Sequence, residues 1–168
     1  HLMLVNERIV IDGEPIADRA LADNWADIAP YLLMVDAELA ANGEPPLSTF
    51  EALTGLAYAC FADAPVDVAV VEVGMGGEWD STNVADGDVA VFTPIDLDHQ
   101  RFLGATTADI ARTKAGIVKP AATVVTALQA TEAMDELASA AEHNEAEVVA
   151  EGVGFALLDA RLAVGGQV

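Results

Sequence analysis

A β-branched apolar run, VDVAVVEV at residues 66–73, carries a single carboxylate near its end, Glu72. It then breaks into Gly74, Gly76 and Gly77 before a polar cluster of Asp80, Ser81, Thr82 and Asn83. A second run, DVAVFTPI at residues 88–95, gives way to Asp96, Asp98 and His99. Carboxylates and an imidazole at the ends of buried strands, beside glycines that let a backbone approach a ligand closely, have the chemistry for a divalent cation or a phosphate. Each residue also has a plainer reading. Glu72 can pair with a nearby cation at its strand end, and His99 can cap the helix that follows. Lys114 and His143 fall late in predicted helices, where a cation complements the helix dipole. The GMGG stretch is not a dinucleotide fingerprint: GxGxxG would need glycine at position 79, which is Trp79, and no helix pattern opens there.

These groups need elements to carry them. LVNERIVIDG, residues 4–13, alternates in hydropathy and ends on an Asp-Gly turn, which predicts a strand. Residues 17–42 have helical period, with Pro30 predicted to start a second helix or kink the first. Ser48 is placed to cap a helix over residues 49–64, with Glu51 completing a capping box. VDVAVVEV is continuous rather than alternating, as expected of a strand covered by helices on both faces, and residues 88–95 and 122–128 repeat that signature. A helix from Thr106 or Thr107 to about Ala115 lies between the last two, and an amphipathic helix follows from Ala130 to Asn144. The sum is an α/β fold, a mostly parallel sheet flanked by helices, with short antiparallel strands joined by glycine turns from Glu147 onward. No internal repeat, low-complexity segment or interdomain linker stands out.

The 168 residues can bury one substantial core, and no apolar segment approaches the roughly 20 residues of a membrane span. There is no signal-peptide pattern, and a start on His1 rather than Met suggests a fragment. Twenty-eight acidic residues against seven basic ones give a formal charge of −21, which repels nucleic acid and anionic membrane. The acid is spread over predicted helix faces, as in a solvated surface. The one cysteine, Cys60, lies in an apolar stretch, allows no internal disulfide and fits packing in a reducing cytoplasm.

Taken together, VVEVGMGGEWDSTNV and VFTPIDLDHQRFLGATTADIARTKAGIVKP resemble the folylpolyglutamate synthase and dihydrofolate synthase family of the Mur ligase superfamily. The family pattern is close to EVGxGGRxDATN, then LDHxxxLGxTxxxIAxxKAGIxK. HLMLVNERI and STFEALTGLA are similar to further family segments, so the likeness runs from the first residue to about residue 130. The resemblance implies that Glu72 and His99 ligate Mg2+ and that Lys114, carbamylated, adds an oxygen ligand, which reverses its helix-dipole reading. It implies substrate contacts at Asp80 and Ser81 and a folate-side wall at Arg8, Ser48 and Glu51. Gly74, Gly76, Gly77 and Asn83 would lie near the nucleotide. Glu78 departs from the family, which usually has Arg there, and either repels an anionic substrate or faces solvent.

The implied activity is ATP-dependent ligation of L-glutamate to a folate or dihydropteroate carboxylate by a cytoplasmic monomer. Residues 1–168 would then be part of a Mur ligase central, ATP-binding domain. A P-loop of the form GTNGKGS is expected before residue 1 and a C-terminal domain after residue 168, so the piece alone is expected not to turn over. Two other readings stand beside this one: a sister ligase adding an amino acid to a cell-wall precursor, and a non-catalytic α/β binding module.

Overall fold

A computed structural model describes residues 3–159, 162–163 and 166–167. The chain forms two compact units, one ending at Glu72 and the other beginning at Val73.

The first unit opens differently from the strand expected at residues 4–13. Val5–Arg8 form a 3-10 turn, and only Val10–Ile11 (β1) is strand, pairing antiparallel with Glu14–Pro15 (β2). Asn6 explains the change: its buried amide donates to the Ile16 carbonyl at 2.7 Å and to Asp18 Oδ1 at 3.0 Å, folding the segment back on itself. Helix α1 is one continuous element, Asp18–Asn42, through Pro30. Proline removes one backbone bond and crowds the preceding turn, at about 3 kcal/mol. Packing of Leu21 and Ile28 around Ile9, Ile16, Leu56 and Cys60 holds the helix together across that defect. Helix α2, Thr49–Asp63, starts on the expected capping box. Ser48 Oγ accepts from the Glu51 amide at 3.2 Å, and Glu51 Oε2 accepts from the Ser48 amide at 2.7 Å. Ser48→Ala is expected to cost about 1 kcal/mol of helix stability, read by thermal unfolding. Cys60 is buried and unbridged, and burial, with the Asp63 charge nearby, pushes its thiol pKa up.

The predicted strand at residues 66–73 is a second correction. The segment joins no ladder among the described residues; Val68 is 80% exposed and Val70 94%. An apolar β-branched run favours extended backbone, but a strand needs a neighbour for its N–H and C=O groups, and no described strand pairs with this one.

The second unit is built on a parallel sheet. Val89–Phe92 (β3), Thr123–Thr126 (β4) and Glu147–Ala150 (β5) lie in the order β3-β4-β5, Val89 opposite Thr123 and Thr123 opposite Glu147. Helices α3 (Gln100–Leu103), α4 (Thr107–Ala115) and α5 (Thr131–His143) make the connections. Ala90, Phe92 and Val124 share one sheet face and form a core with Ile110, Ala111 and Ala115 of α4 and Ala133, Leu137 and Ala141 of α5. The other face of β3 is open, with Val89 56% and Val91 64% exposed, so the continuous runs are not covered on both sides as expected. The reason is that α4 and α5 both contribute to the single core on the Ala90 and Phe92 face.

Burying Ile110 and Leu137 contributes about 1.5–3 kcal/mol each. The exposed Arg112–Glu136 ion pair between α4 and α5, at 2.6 Å, adds about 0–1 kcal/mol, so apolar packing decides their association. β5 is a third parallel strand rather than part of an antiparallel tail. Two-residue strands Leu162–Ala163 (β6) and Gly166–Gln167 (β7) do pair antiparallel. Residues 160, 161, 164, 165 and 168 of that predicted tail lie outside the described residues, as do residues 1 and 2. Among the described residues no helix is long and apolar enough to cross a membrane.

Candidate functional site

The glycine-rich loop after residue 73 belongs to the second unit, and its shape follows from its own polar residues. Asp80 caps the 3-10 turn Ser81–Val84. Its Oδ1 accepts from the Thr82 amide at 3.0 Å and the Thr82 hydroxyl at 2.6 Å, while Oδ2 reaches back to the Met75 amide at 2.9 Å. Burial works against the charged carboxylate, but the Thr82, Met75 and Gly74 hydrogen bonds together outweigh it and hold the Asp80 pKa below its ordinary value. A lowered folded pKa stabilises the loop above the unfolded value of about 3.9 and loses that contribution as pH falls through the folded value. Asp80→Asn is therefore expected to lower stability by about 1 kcal/mol at neutral pH. It should also flatten the acid limb of the stability profile, checked by denaturant unfolding between pH 3 and pH 7.

The loop is docked on the C-terminal turn of α4. The Glu78 amide donates to the Thr113 carbonyl at 3.0 Å, and Asn83 Nδ2 bridges the Glu78 and Gly116 carbonyls at 3.1 Å each. Lys119 Nζ donates to the Asn83 carbonyl at 2.9 Å. Two glycines make this approach sterically available. A Cβ on Gly77 would lie 2.6 Å from the Lys114 carbonyl oxygen, and one on Gly116 would lie 2.5 Å from Glu78 Cβ. Gly76 is buried at φ +75°, a conformation glycine adopts without strain. Lys114, half-buried in the last turn of α4, is thus held against the glycine loop through its own backbone. Ser81 is half-buried at the start of the 3-10 turn, and Gly74 is exposed. Glu78 is anchored by its backbone, and the residue is exposed.

His99 stands beyond the end of β3 in the left-handed region, φ 48°, where non-glycine residues are uncommon. Its carbonyl accepts from the Phe102 and Leu103 amides at 2.8 and 3.0 Å, so its backbone begins α3 while its side chain does no capping. The imidazole is exposed, 3.6 Å from the Asp98 carboxylate. Among the described residues no three His, Cys, Asp or Glu side chains form a metal-holding cluster.

Four of the named residues belong to the first unit. Glu72 is its last residue and exposed; because residues 66–73 join no ladder among the described residues, it does not end a paired strand. Arg8 closes the first 3-10 turn and is exposed. Ser48 and Glu51 are engaged with each other in the α2 cap, and that bonding lowers the Glu51 pKa. Lys119 carries no sequence signal for its contact with Asn83 beyond its place in KAGIVK, five residues after Lys114.

A parallel three-stranded sheet with a glycine loop locked onto the helix that carries Lys114 defines the class, and the chain belongs to the Mur ligase middle domain family, which it matches over residues 28–156. Within that family it is 45% identical, over its whole length, to the dihydrofolate synthase/folylpolyglutamate synthase of Mycobacterium tuberculosis, covering 36% of that protein. The solved folylpolyglutamate synthase of Mycobacterium tuberculosis complexed with ADP superposes with a TM-score of 0.90 at 46% identity, over 100% of this chain and 38% of the other. A folylpolyglutamate synthase complexed with AMPPCP and folate superposes with a TM-score of 0.87 at 38% identity, over 99% and 40%. The chain therefore spans between about a third and two fifths of the length of these three relatives.

Proposed function

We propose that the chain is the central part of an ATP-dependent ligase that joins L-glutamate to the carboxylate of a folate or dihydropteroate. The observation that carries this reading is identity along the whole chain with a dihydrofolate synthase/folylpolyglutamate synthase. In the reaction, the γ-phosphoryl group of ATP passes to the substrate carboxylate, and the glutamate amine then attacks the acyl phosphate and releases phosphate. No protein nucleophile is needed; positioning and charge stabilisation carry the rate.

Glu72, His99 and Lys114 would hold Mg2+. A carboxylate, an imidazole and an ammonium group suit a hard cation poorly, and the donor set fits once Lys114 is a carbamate, with phosphate oxygens and water completing it. When bound, the cation would neutralise charge on the transferring phosphoryl group. Gly74, Gly76, Gly77 and Asn83 shape the loop expected near the nucleotide, the first three by leaving backbone bare and Asn83 by tying the loop to α4. Asp80 and Ser81 would face the pterin-bearing substrate, with Asp80 also bracing the loop. Arg8, Ser48 and Glu51 would form the folate-side wall. A cytoplasmic monomer is part of this reading, consistent with one buried, unbridged thiol.

The test is a glutamate-ligation assay on a polypeptide carrying this chain with its flanking segments, offered dihydropteroate and, separately, a reduced folate. ATP-dependent amide formation with at least one acceptor is expected. Ligation confined to a cell-wall precursor, or binding without turnover, would overturn the reading. The 168-residue chain assayed alone is expected to give no ligation.

A further inference from the structure

We propose that Gln129 is a positioning residue for this reaction, setting where His99 stands at the rim of the sheet; the inference rests on the reading of His99 as a metal ligand given above. Gln129 lies between β4 and α5, and its side chain spans the ends of two neighbouring strands. Its Nε2 donates to the Thr93 carbonyl at 2.9 Å and to Thr126 Oγ1 at 3.1 Å, and its Oε1 accepts from the Ile95 amide at 2.9 Å. Two acceptors face the nitrogen and one donor faces the oxygen, so the amide has one satisfied orientation: flipping it would set N–H against N–H. Thr126 is fully buried and Ile95 nearly so, while Thr93 is exposed and Gln129 half-buried, so the bond set straddles the sheet's edge from its interior to its surface.

The segment it grips leads to His99. Pro94 has no amide to donate, so the flanking Thr93 and Ile95 provide the backbone groups by which this stretch is held. Beyond Ile95, the Leu97 and His99 amides bond to the side chains of Asp96 and Asp98, their immediate neighbours, which shapes the turn without tying it to the body. Downstream, the His99 carbonyl caps α3, and Leu103 packs on the core. His99 is suspended between two anchors, α3 on one side and the Gln129 clamp on the other. Its left-handed backbone conformation fits a residue whose position is imposed from both ends.

The experiment compares the wild-type chain with Gln129→Met, which keeps side-chain length without hydrogen bonds, and Gln129→Glu, which restores an acceptor for the Ile95 amide. The readouts are Ile95 amide exchange and the ring resonances of His99, with His143 at the far end of α5 as internal control. Losing the Ile95 bond should speed its exchange about tenfold in Gln129→Met. The His99 ring signals should move while those of His143 stay, and Gln129→Glu should bring both Ile95 exchange and His99 part of the way back. Unmoved His99 signals in Gln129→Met, or equal movement of His143, would reduce Gln129 to a general structural role and overturn the proposal. Paramagnetic broadening by Mn2+ with ATP, in a polypeptide carrying this chain with its flanking segments, separates the two layers. A His99 ring that Mn2+ leaves sharp sinks the metal reading, while the ring shifts still decide the positioning.

Discussion

Gly77→Ala is expected to be among the most damaging single-methyl additions to this chain, because the methyl group would meet backbone on the α4 side rather than a side chain that can swing away. Its nearest neighbours would be the Lys114 and Thr113 carbonyl oxygens, at 2.6 and 2.8 Å. Ordinary overpacking costs about 1–3 kcal/mol because side chains yield. Here relief requires the loop to lift from the helix, breaking the Glu78–Thr113 backbone bond and stretching the Asn83 bridge. A loss of about 3 kcal/mol is expected in denaturant unfolding of the second unit. Gly116→Ala strikes the same junction from the other side, against Glu78 Cβ and Cα at 2.5 and 2.6 Å. Once the first substitution has opened the junction, the second should cost much less, so the double variant should fall well short of the sum. Additive losses, or a Gly77→Ala variant within about 0.5 kcal/mol of wild type, would show that the docking is not a shared tight contact.

In a polypeptide carrying this chain with its flanking segments, and on the proposed function, Lys114→Arg and Lys114→Ala are expected to remove ligation activity to a similar extent, about 10²–10³-fold in kcat. That equality separates the two readings of this lysine. A cation that complements the end of α4 is replaced well by arginine. A carbamate is not, because its formation needs a neutral amine to attack carbon dioxide and shed a proton, and guanidinium stays protonated. On the carbamate reading, formate or acetate added to Lys114→Ala should restore part of the activity by supplying the missing oxygen donor, and should do nothing for Lys114→Arg. Wild-type activity in Lys114→Arg would return the residue to a helix-end role.

Local signals in the sequence suffice where local physics decides. The Ser48–Glu51 box begins α2 because both partners lie within one turn, and α4 opens on an equivalent box between Thr106 and Asp109. β3 and β4 fall within the apolar runs expected for them. What failed was whatever depended on a distant partner. Residues 66–73 have strand composition, but pairing is a property of two segments, and no partner ladder forms among the described residues. The opening strand gave way because one buried asparagine, Asn6, finds acceptors ten and twelve residues on. At the site, the glycine loop and Lys114 were visible as motifs, whereas the bonds that join them were not. Lys119 reaches Asn83 across 36 residues and Gln129 reaches Ile95 across 34, separations at which periodicity and capping carry no information.

The uncovered valines at 68 and 70 bear on how this chain behaves in a tube. An apolar stretch that joins no ladder among the described residues is a template for another strand, and the formal charge of −21 supplies mutual repulsion that keeps copies apart. That protection is electrostatic and conditional. It weakens as salt shortens the reach of the charges, and it collapses near pH 4, where the carboxylates take up protons. The acidic surface thus acts as a dispersant for a sticky segment, and concentrated stocks should cloud first in mild acid, well before either unit unfolds.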